Sequence, residues 1–396
     1  MADTSPKKRI LITMIEVGGC HASIAYAVQD ALMLSCPGMY DIQVVDLPRA
    51  CGARGMDRHL KHLWRMALAR PVLTTRLSTW LEEVGTLANS NRIVRLLFGE
   101  FVRKGMRFIE QANPDLVIST HFFCTSVAVF ARQQSGGTYP VVSHVSDPFR
   151  AHGLWVNPLA DEVIVCSQAV RDQLAAMGQP SERLSVLPFP INPRFFAPIG
   201  SDRTAVLQAL NLSPERLTIL ASAGGEGVGN MSSFLRRLYL SELPCNVIAV
   251  CGRNERLHKE LSLLAMRDSP VRMAVLGFVR NMNELAEAAD VGMVKAGPSS
   301  LLELLAKDCP VMVTQVAAKI EEGNLRFVMD NGFGWDVREP EAFDKALRNL
   351  RDPSFLAQAG ERIRKSGALA ELPGAAARVA ERIVARLPAG TDRPTR

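Results

Sequence analysis

The sequence predicts two doubly wound α/β domains in tandem, facing each other across a cleft. Three observations carry the prediction. Strand-like and helix-like patterns alternate through both halves of the chain, the spacing of parallel sheets with crossover helices. The stretch LPFPINPRFFAP, residues 187–198, holds four prolines, breaks both periodicities and separates the halves. Glycine-rich turns follow predicted strands in each half, where open α/β sheets place their ligands.

In the first half, residues 9–15, 41–46, 115–119, 141–144 and 162–166 read as strands and 22–34 as a helix. The pattern then restarts, with strands expected at 217–221, 246–251, 273–276, 291–294 and 311–314. Helices are expected between them at 231–239, 255–266, 283–289 and 300–307. A last amphipathic helix, 375–387, precedes a polar tail expected to be disordered. The division is therefore an N-terminal domain over 1–197, a C-terminal domain over 198–372, and a helix and tail over 373–396 with the option of packing back on the first domain.

Composition narrows the class. With 396 residues, 47% hydrophobic and 22% charged, the chain is globular and too long for one ordinary core. Its longest uncharged apolar stretch, 116–131, is interrupted by Ser119, Thr120, His121, Thr125 and Ser126. It falls short of the roughly 20 apolar residues of a membrane span. Lys7–Arg9 run straight into a strand-like segment, so no signal peptide is read and a cytoplasmic protein is expected. The eight cysteines never approach closer than six positions, so they read as reduced core residues. Cys20-His21 is the only Cys/His neighbour pair, and adjacent ligands alone build no tetrahedral site, so no metal is expected.

The net charge of +6 is unevenly distributed. Residues 49–107 carry twelve Lys/Arg against Asp57, Glu82, Glu83 and Glu100, giving +8, and the other 337 residues sum to −2. Apolar residues recur there at helical spacing (Leu60, Leu63, Trp64, Ala67, Leu68; Ile93, Leu96, Leu97, Phe101), which makes basic amphipathic helices. Such helices are either a solvated face or a surface that docks on anionic lipid. Few aromatics and no nucleic-acid module argue against nucleic acid as the partner.

Three glycine turns carry the chemistry. GGEGVG, Gly224 to Gly229, follows one strand and opens a helix, so its backbone N–H groups can approach an anion. A nicotinamide cofactor is a poor fit, because the next strand ends in Cys251-Gly252-Arg253 rather than an acidic residue. KAGPSS, Lys295 to Ser300, is a second phosphate-type turn in which Ser299 and Ser300 are expected to cap the following helix. Glu303, about one turn inside, could accept hydrogen bonds from ribose hydroxyls or interact with the helix N-terminus. Two anion-type turns beside a carboxylate suit a nucleotide diphosphate. The third turn, Gly18-Gly19-Cys20-His21, places a histidine at a strand end with Glu16 five positions before it. A neutral histidine there is a candidate general base or a structural residue.

The stretch VLGFVRNMNELAEAADVGMVKAGPSSLLELLA, with GGEGVG and VCGRNERL upstream, resembles the monogalactosyldiacylglycerol synthases and related diacylglycerol glucosyltransferases. These are inverting, nucleotide-sugar-dependent enzymes of the two-domain GT-B fold, related to the glucosaminyltransferase of peptidoglycan synthesis. The resemblance runs over roughly residues 9 to 340 with its motifs in order. It implies that Gly224, Gly225, Gly227 and Gly229 form the donor diphosphate loop. It assigns Lys295, Gly297, Pro298, Ser299 and Ser300 to the second donor loop, Glu303 to the ribose, and Glu321 and Asn324 of KIEEGN to the donor sugar. His21 matches the histidine of the family's N-terminal glycine turn. Asp147, His152 and Trp155 reproduce the spacing of an acceptor-side motif, and His121 in STHFF matches another acceptor-side histidine. The basic segment, including Arg58, Lys61, Arg65, Arg103, Lys104 and Arg107, falls in the region that docks these enzymes on membranes.

The sequence departs from the family at several points. Cys20 stands where a third glycine is usual, Glu16 where an aspartate is usual, and Ser299 where a glycine is usual. Lys319 and Ile320 replace the glycine and glutamine before Glu321, and isoleucine cannot hydrogen-bond a sugar hydroxyl. The resemblance implies an inverting transfer of a hexose from UDP-galactose or UDP-glucose to diacylglycerol or a similar lipid, at the cytoplasmic face of a membrane. His21, or Glu16, would deprotonate the acceptor hydroxyl, with the UDP-sugar as co-substrate and no resident cofactor or metal. The rivals are an epimerase or soluble-acceptor transferase of the same fold, and a UDP-sugar-binding protein without catalysis.

Overall fold

The strands are short apolar runs, and nearly all are followed by a helix that returns the chain over the sheet face (the β4–β5 connection is a long loop with a single 3-10 turn), so both sheets are parallel throughout. In the computed structural model, residues 7–69, 90–198, 200, 202–227 and 229–388 are described. The first sheet holds β1 (Lys8–Met14), β2 (Tyr40–Asp46), β3 (Leu116–Ser119), β4 (Val141–His144), β5 (Glu162–Val165) and β6 (Leu184–Val186), in the order β2-β1-β3-β4-β5-β6. The second holds β7 (Thr218–Ser222), β8 (Asn246–Val250), β9 (Arg272–Leu276), β10 (Val291–Lys295), β11 (Val311–Gln315) and β12 (Gly334–Asp336), in the order β12-β11-β10-β7-β8-β9. β3, β4, β5, β7 and β8 are buried along their whole length, which is why they read as continuous apolar runs rather than alternating ones.

The expected strands are present to within a residue or two, and two more exist. β6 and β12 are three-residue edge strands, too short to show a period, and β12 opens on Gly334. The helices Arg203–Ala209, Pro340–Asn349 and Pro353–Arg364 were also not anticipated. Asp202 caps the first of them by accepting from the Ala205 N–H at 2.7 Å.

The proline-rich connection is not a loose tether. Phe189, Ile191 and Phe195 are buried, and they share a core cluster with Val206, Leu207 and Leu212 of the C-terminal domain and Ile24 and Val28 of the first helix. The final helix, Leu372–Val384, crosses back and packs on the helix Cys20–Ser35 of the N-terminal domain. Its Arg382 and, just beyond it, Arg386 donate to the fully buried Glu162 carboxylate on β5, the latter at 2.6 Å. Lys8 Nζ donates to the Pro388 carbonyl at 3.0 Å. The tail from 389 to 396, read above as disordered, lies outside the described residues.

Candidate functional site

Each sheet grows outward in both directions from its centre, so each has a point where the strand order reverses. In the first sheet that point lies between β1 and β3, and in the second between β7 and β10. Loops leaving adjacent strands diverge there and leave a crevice. The turn 18–21 leaves β1 and His121 follows β3; GGEGVG leaves β7 and KAGPSS leaves β10. All four motif-bearing loops thus flank the two crevices.

In the N-terminal half, Gly18 takes φ +71°, a left-handed conformation that suits glycine, and the chain turns into the helix Cys20–Ser35. His21 is fixed from two sides. Its Nδ1 lies against the Thr120 carbonyl, and Thr120 Oγ1 donates to the His21 carbonyl at 2.9 Å. A carbonyl only accepts, so Nδ1 carries the proton and Nε2 carries the lone pair. Burial lowers the His21 pKa to about 4 against the opposing pull of the Thr120 carbonyl, so the ring is neutral near pH 7. The Cys20 Sγ donates to the Ser146 carbonyl at 3.3 Å, and burial raises that thiol well above its ordinary range.

The acceptor-side candidates gather around this ring. His121 lies 4.7 Å from His21, ring centre to ring centre, and Trp155 lies 6.3 Å from it. His121 Nδ1 accepts from the Phe123 N–H at 3.2 Å and so caps the helix Phe122–Ser135. Burial, followed by the neighbouring His21 and His152, pushes its pKa well below the usual histidine range. The Trp155 indole donates to Asp147 Oδ2 at 2.8 Å. Burial nevertheless raises Asp147 to about 7. His152, also lowered to about 4 by burial, and Trp155 meet the edge of Phe122 at 5.0 and 5.3 Å. The result is an aromatic wall with a histidine lone pair beside it.

Glu16 is differently placed. Its carboxylate meets Arg253 Nη1 of the other domain at 3.2 Å. Arg253 also reaches Glu226 at 3.5 Å and lies over the Phe278 ring at 4.7 Å.

In the C-terminal half, the glycine loop is interlocked with the loop after β8. Gly227 has φ +63°, and a Cβ there would lie 2.0 Å from the Cys251 carbonyl oxygen and 2.5 Å from Asn254 Cβ. Asn254 Nδ2 donates to the Gly227 carbonyl at 2.7 Å, while its Oδ1 caps the next helix through the Leu257 N–H at 3.0 Å. Lys295 threads between the two ends of the glycine loop. Its Cε and Nζ would lie 3.9 Å from a Cβ on Gly224, and its Cδ 3.4 Å from one on Gly229. Burial lowers the Lys295 pKa, opposed by Glu321.

The second donor loop differs from expectation in one respect. Gly297 is the N-cap of the helix Pro298–Leu305, so Ser299 and Ser300 lie inside its first turn and do not cap it. The reason is Pro298, whose fixed φ suits the first helical position and starts the helix earlier. Glu303 accepts from Ser23 Oγ of the facing domain at 3.4 Å, and burial raises it to about 7. Glu321 Oε2 accepts from the Ala317 N–H at 2.7 Å, and Asn324 Nδ2 donates to the Ala296 carbonyl at 2.7 Å. Asn324 thus braces the KAGPSS loop, while Glu321 braces the segment between β11 and its own helix. Among residues not singled out from sequence, Arg253, Asn254, Ser23 and Gln315 stand at the site. VCGRNERL was visible as a motif, but nothing in it said that Arg253 reaches the other domain.

The basic segment forms the helices Arg54–Ala69, Ser90–Leu97 and Gly99–Ala112, while residues 70–89 and the side chain of Arg65 lie outside the described residues. Arg58, Arg103 and Arg107 are exposed. Lys61 pairs with Asp57 at 2.7 Å and Asp46 at 3.5 Å, and Lys104 with Glu100 at 2.7 Å, so those two charges are partly answered within the protein. Leu96 and Leu97 are 85% and 63% exposed beside them. Among the described residues, no helix is long and apolar enough to cross a membrane, and no group of three or more His, Cys, Asp or Glu is placed to hold a metal ion.

Residues 73–191 match the family model described as Monogalactosyldiacylglycerol (MGDG) synthase. The chain is 25% identical over 365 residues to monogalactosyldiacylglycerol synthase 1, chloroplastic, of Arabidopsis thaliana, covering 88% of this chain and 65% of that protein. It is 27% identical over 262 residues to the processive diacylglycerol beta-glucosyltransferase of Staphylococcus saprophyticus, covering 66% of this chain and 65% of that one. The chain therefore spans about two thirds of the length of these relatives. The crystal structure of Acinetobacter baumannii MurG superposes with a TM-score of 0.58 at 16% identity, covering 96% of this chain and 99% of that one. The two-sheet architecture is thus that of the GT-B fold, and the resemblance read from the motifs holds.

Proposed function

We propose that this chain is an inverting glycosyltransferase that moves a hexose from a UDP-sugar to diacylglycerol or a similar lipid acceptor at a membrane surface. The observation that carries the reading is the arrangement across the cleft. A neutral histidine with an unprotonated Nε2, beside an aromatic wall, stands across from a glycine loop interlocked with the loop after β8 and from a second turn whose Lys295 lies along that glycine loop. The names of the related proteins, diacylglycerol glycosyltransferases, supply the acceptor class.

The chemistry follows from the groups present. Loop N–H groups around Gly224 to Gly229, the N-terminus of the helix Pro298–Leu305 and the Lys295 ammonium meet the charge that develops on the departing diphosphate. His21 Nε2 takes the proton from the acceptor hydroxyl, and the oxygen then attacks the anomeric carbon on the face opposite the leaving UDP. The Thr120 carbonyl fixes the tautomer that leaves Nε2 able to accept. A bound diphosphate adds negative charge to the cleft and raises the low pKa of His21 toward the range useful for a base. Glu16 is a weaker candidate, because its carboxylate is engaged by Arg253. The exposed Arg58, Arg103 and Arg107, with Leu96 and Leu97, supply basic and apolar contacts for a lipid surface.

The deciding experiment measures UDP release over a matrix of nucleotide sugars and lipid acceptors in mixed micelles. Release with a UDP-hexose and diacylglycerol supports the reading. Activity only with a water-soluble acceptor removes the lipid claim, epimerisation without an acceptor makes the protein an epimerase, and UDP binding without release makes it a binding protein.

A further inference from the structure

Besides the Glu16–Arg253 and Ser23–Glu303 contacts, the two halves of the site meet at residues that lie within or beside two of the motifs but were not singled out in them. The loop after β4 is pinned to its own domain twice: Ser167 Oγ donates to the Pro148 carbonyl at 2.7 Å, and the Ala151 N–H donates to Gln173 Oε1 at 2.9 Å. Between the pins, Phe149 and Arg150 face the C-terminal domain. The Phe149 ring stacks on Phe327 of the helix Glu322–Asn331, with centres 4.0 Å apart and planes 14° from parallel. One turn earlier on that helix is Gly323. A Cβ placed there would lie 3.1 Å from Arg150 Cβ and 3.3 Å from both the carbonyl carbon and the Cβ of Phe149. The two backbones therefore approach as closely as a residue without a side chain permits.

This contact joins the two sides of the proposed reaction. Asp147, which holds Trp155, lies two residues before Phe149. Asn324, which holds the Ala296 carbonyl of the KAGPSS loop, lies one residue after Gly323, and Glu321 lies two before it. The helix is braced to the KAGPSS loop and the Phe149 loop is braced to the acceptor wall, so the stacked rings help set the spacing of the two substrates.

We propose that Phe149, Gly323 and Phe327 are positioning residues that hold the acceptor wall in register with the donor loops across the cleft. The inference rests on the transferase reading for its effect on turnover but not for the contact itself. Fixing two reactants at near-attack distance is worth several powers of ten in rate, and small misplacements forfeit part of it. The donor loops come entirely from the C-terminal domain, so loosening the contact leaves UDP binding intact.

Three measurements on the full chain test this. Phe149→Cys combined with Gly323→Cys places two Cβ atoms at about the separation a disulfide requires. Mild oxidation should link 149 to 323, with the bond located by peptide mass mapping against the native cysteines. Absence of that link overturns the contact. Phe149→Ala and Phe327→Ala should each bind UDP within two-fold of wild type by calorimetry, with kcat lowered at least ten-fold and the donor KM little changed, while Phe149→Tyr keeps near wild-type turnover. UDP affinity that falls in step with kcat, or a kcat that does not move, overturns the positioning role. If the wild-type chain releases no UDP with any donor and acceptor, the transferase reading fails, and the cross-link still decides the contact.

Discussion

Substituting Gly227 with alanine tests the donor loop through a single atom. At φ +63° an alanine pays about 1–2 kcal/mol in left-handed strain. Its Cβ also falls 2.0 Å from the Cys251 carbonyl oxygen, a backbone atom that no rotamer change can move. Such overpacking costs about 1–3 kcal/mol. The loop responds by leaving its native path, and the Asn254 bond to the Gly227 carbonyl goes with it. A combined cost of about 2–5 kcal/mol, at about 1.4 kcal/mol per factor of ten, weakens UDP binding about 30-fold or more. The control is Gly367→Ala, outside the proposed site, where nothing lies within 4 Å of the added Cβ and φ is not in the left-handed region. Titration calorimetry with UDP compares the two, and thermal denaturation checks that both remain folded. If Gly227→Ala binds UDP within two-fold of wild type, the loop is not the diphosphate site.

Three further outcomes are expected. With His21 at about 4 in the free chain, kcat/KM should hold from pH 8 down to about 6 and fall below about pH 5 as Nε2 becomes protonated, the kcat profile falling at higher pH once the diphosphate is bound, and His21→Ala should lower kcat about 100-fold or more with UDP affinity retained; a few-fold loss would reassign the base. His144 is fully buried, with neither ring nitrogen hydrogen-bonded, and burial lowers it to about 4. Its unfolded form binds a proton more readily between about pH 6.5 and 4, so stability falls as pH drops through that window, by about 2 kcal/mol from pH 7 to pH 5. His21, His121 and His152 are lowered by burial as well and remain in both proteins, so urea denaturation should show a pH 7 to pH 5 loss of stability about 2 kcal/mol smaller in His144→Phe than in wild type, and an identical pH effect in both would refute it. Reversing Arg58, Arg103 and Arg107 to glutamate should weaken sedimentation with anionic liposomes by more than about a hundred-fold, since each basic group near such a surface is worth about 1 kcal/mol; unchanged sedimentation would remove the membrane contact.

Legibility differed sharply between elements and their meetings. The strand Leu217–Ala221 region, the turn GGEGVG and the helix Met231–Tyr239 could be read in order, because each depends on a local period or on glycine. The cap of the helix Pro298–Leu305 was misread because Ser299 and Ser300 outweighed the positional preference of Pro298. β6 and β12 were missed because three residues contain no measurable alternation. The charge arithmetic located the basic segment, yet it counted Lys61 and Lys104 as equal to Arg58, and only their ion pairs set them apart.

By itself, the sequence determined the two α/β halves, the break between them and the position of the four loops proposed to bind the diphosphate and supply the histidines, since these rest on near neighbours in the chain. Tertiary structure alone decided what faces what. Arg253 reaches Glu16, Ser23 reaches Glu303, Thr120 selects the His21 tautomer, and Phe149 stacks on Phe327. These partners lie from about a hundred to nearly three hundred residues apart, and no periodicity extends that far. Their meeting is fixed by the order of strands about the two reversal points and by a C-terminal helix that ties one domain to the other.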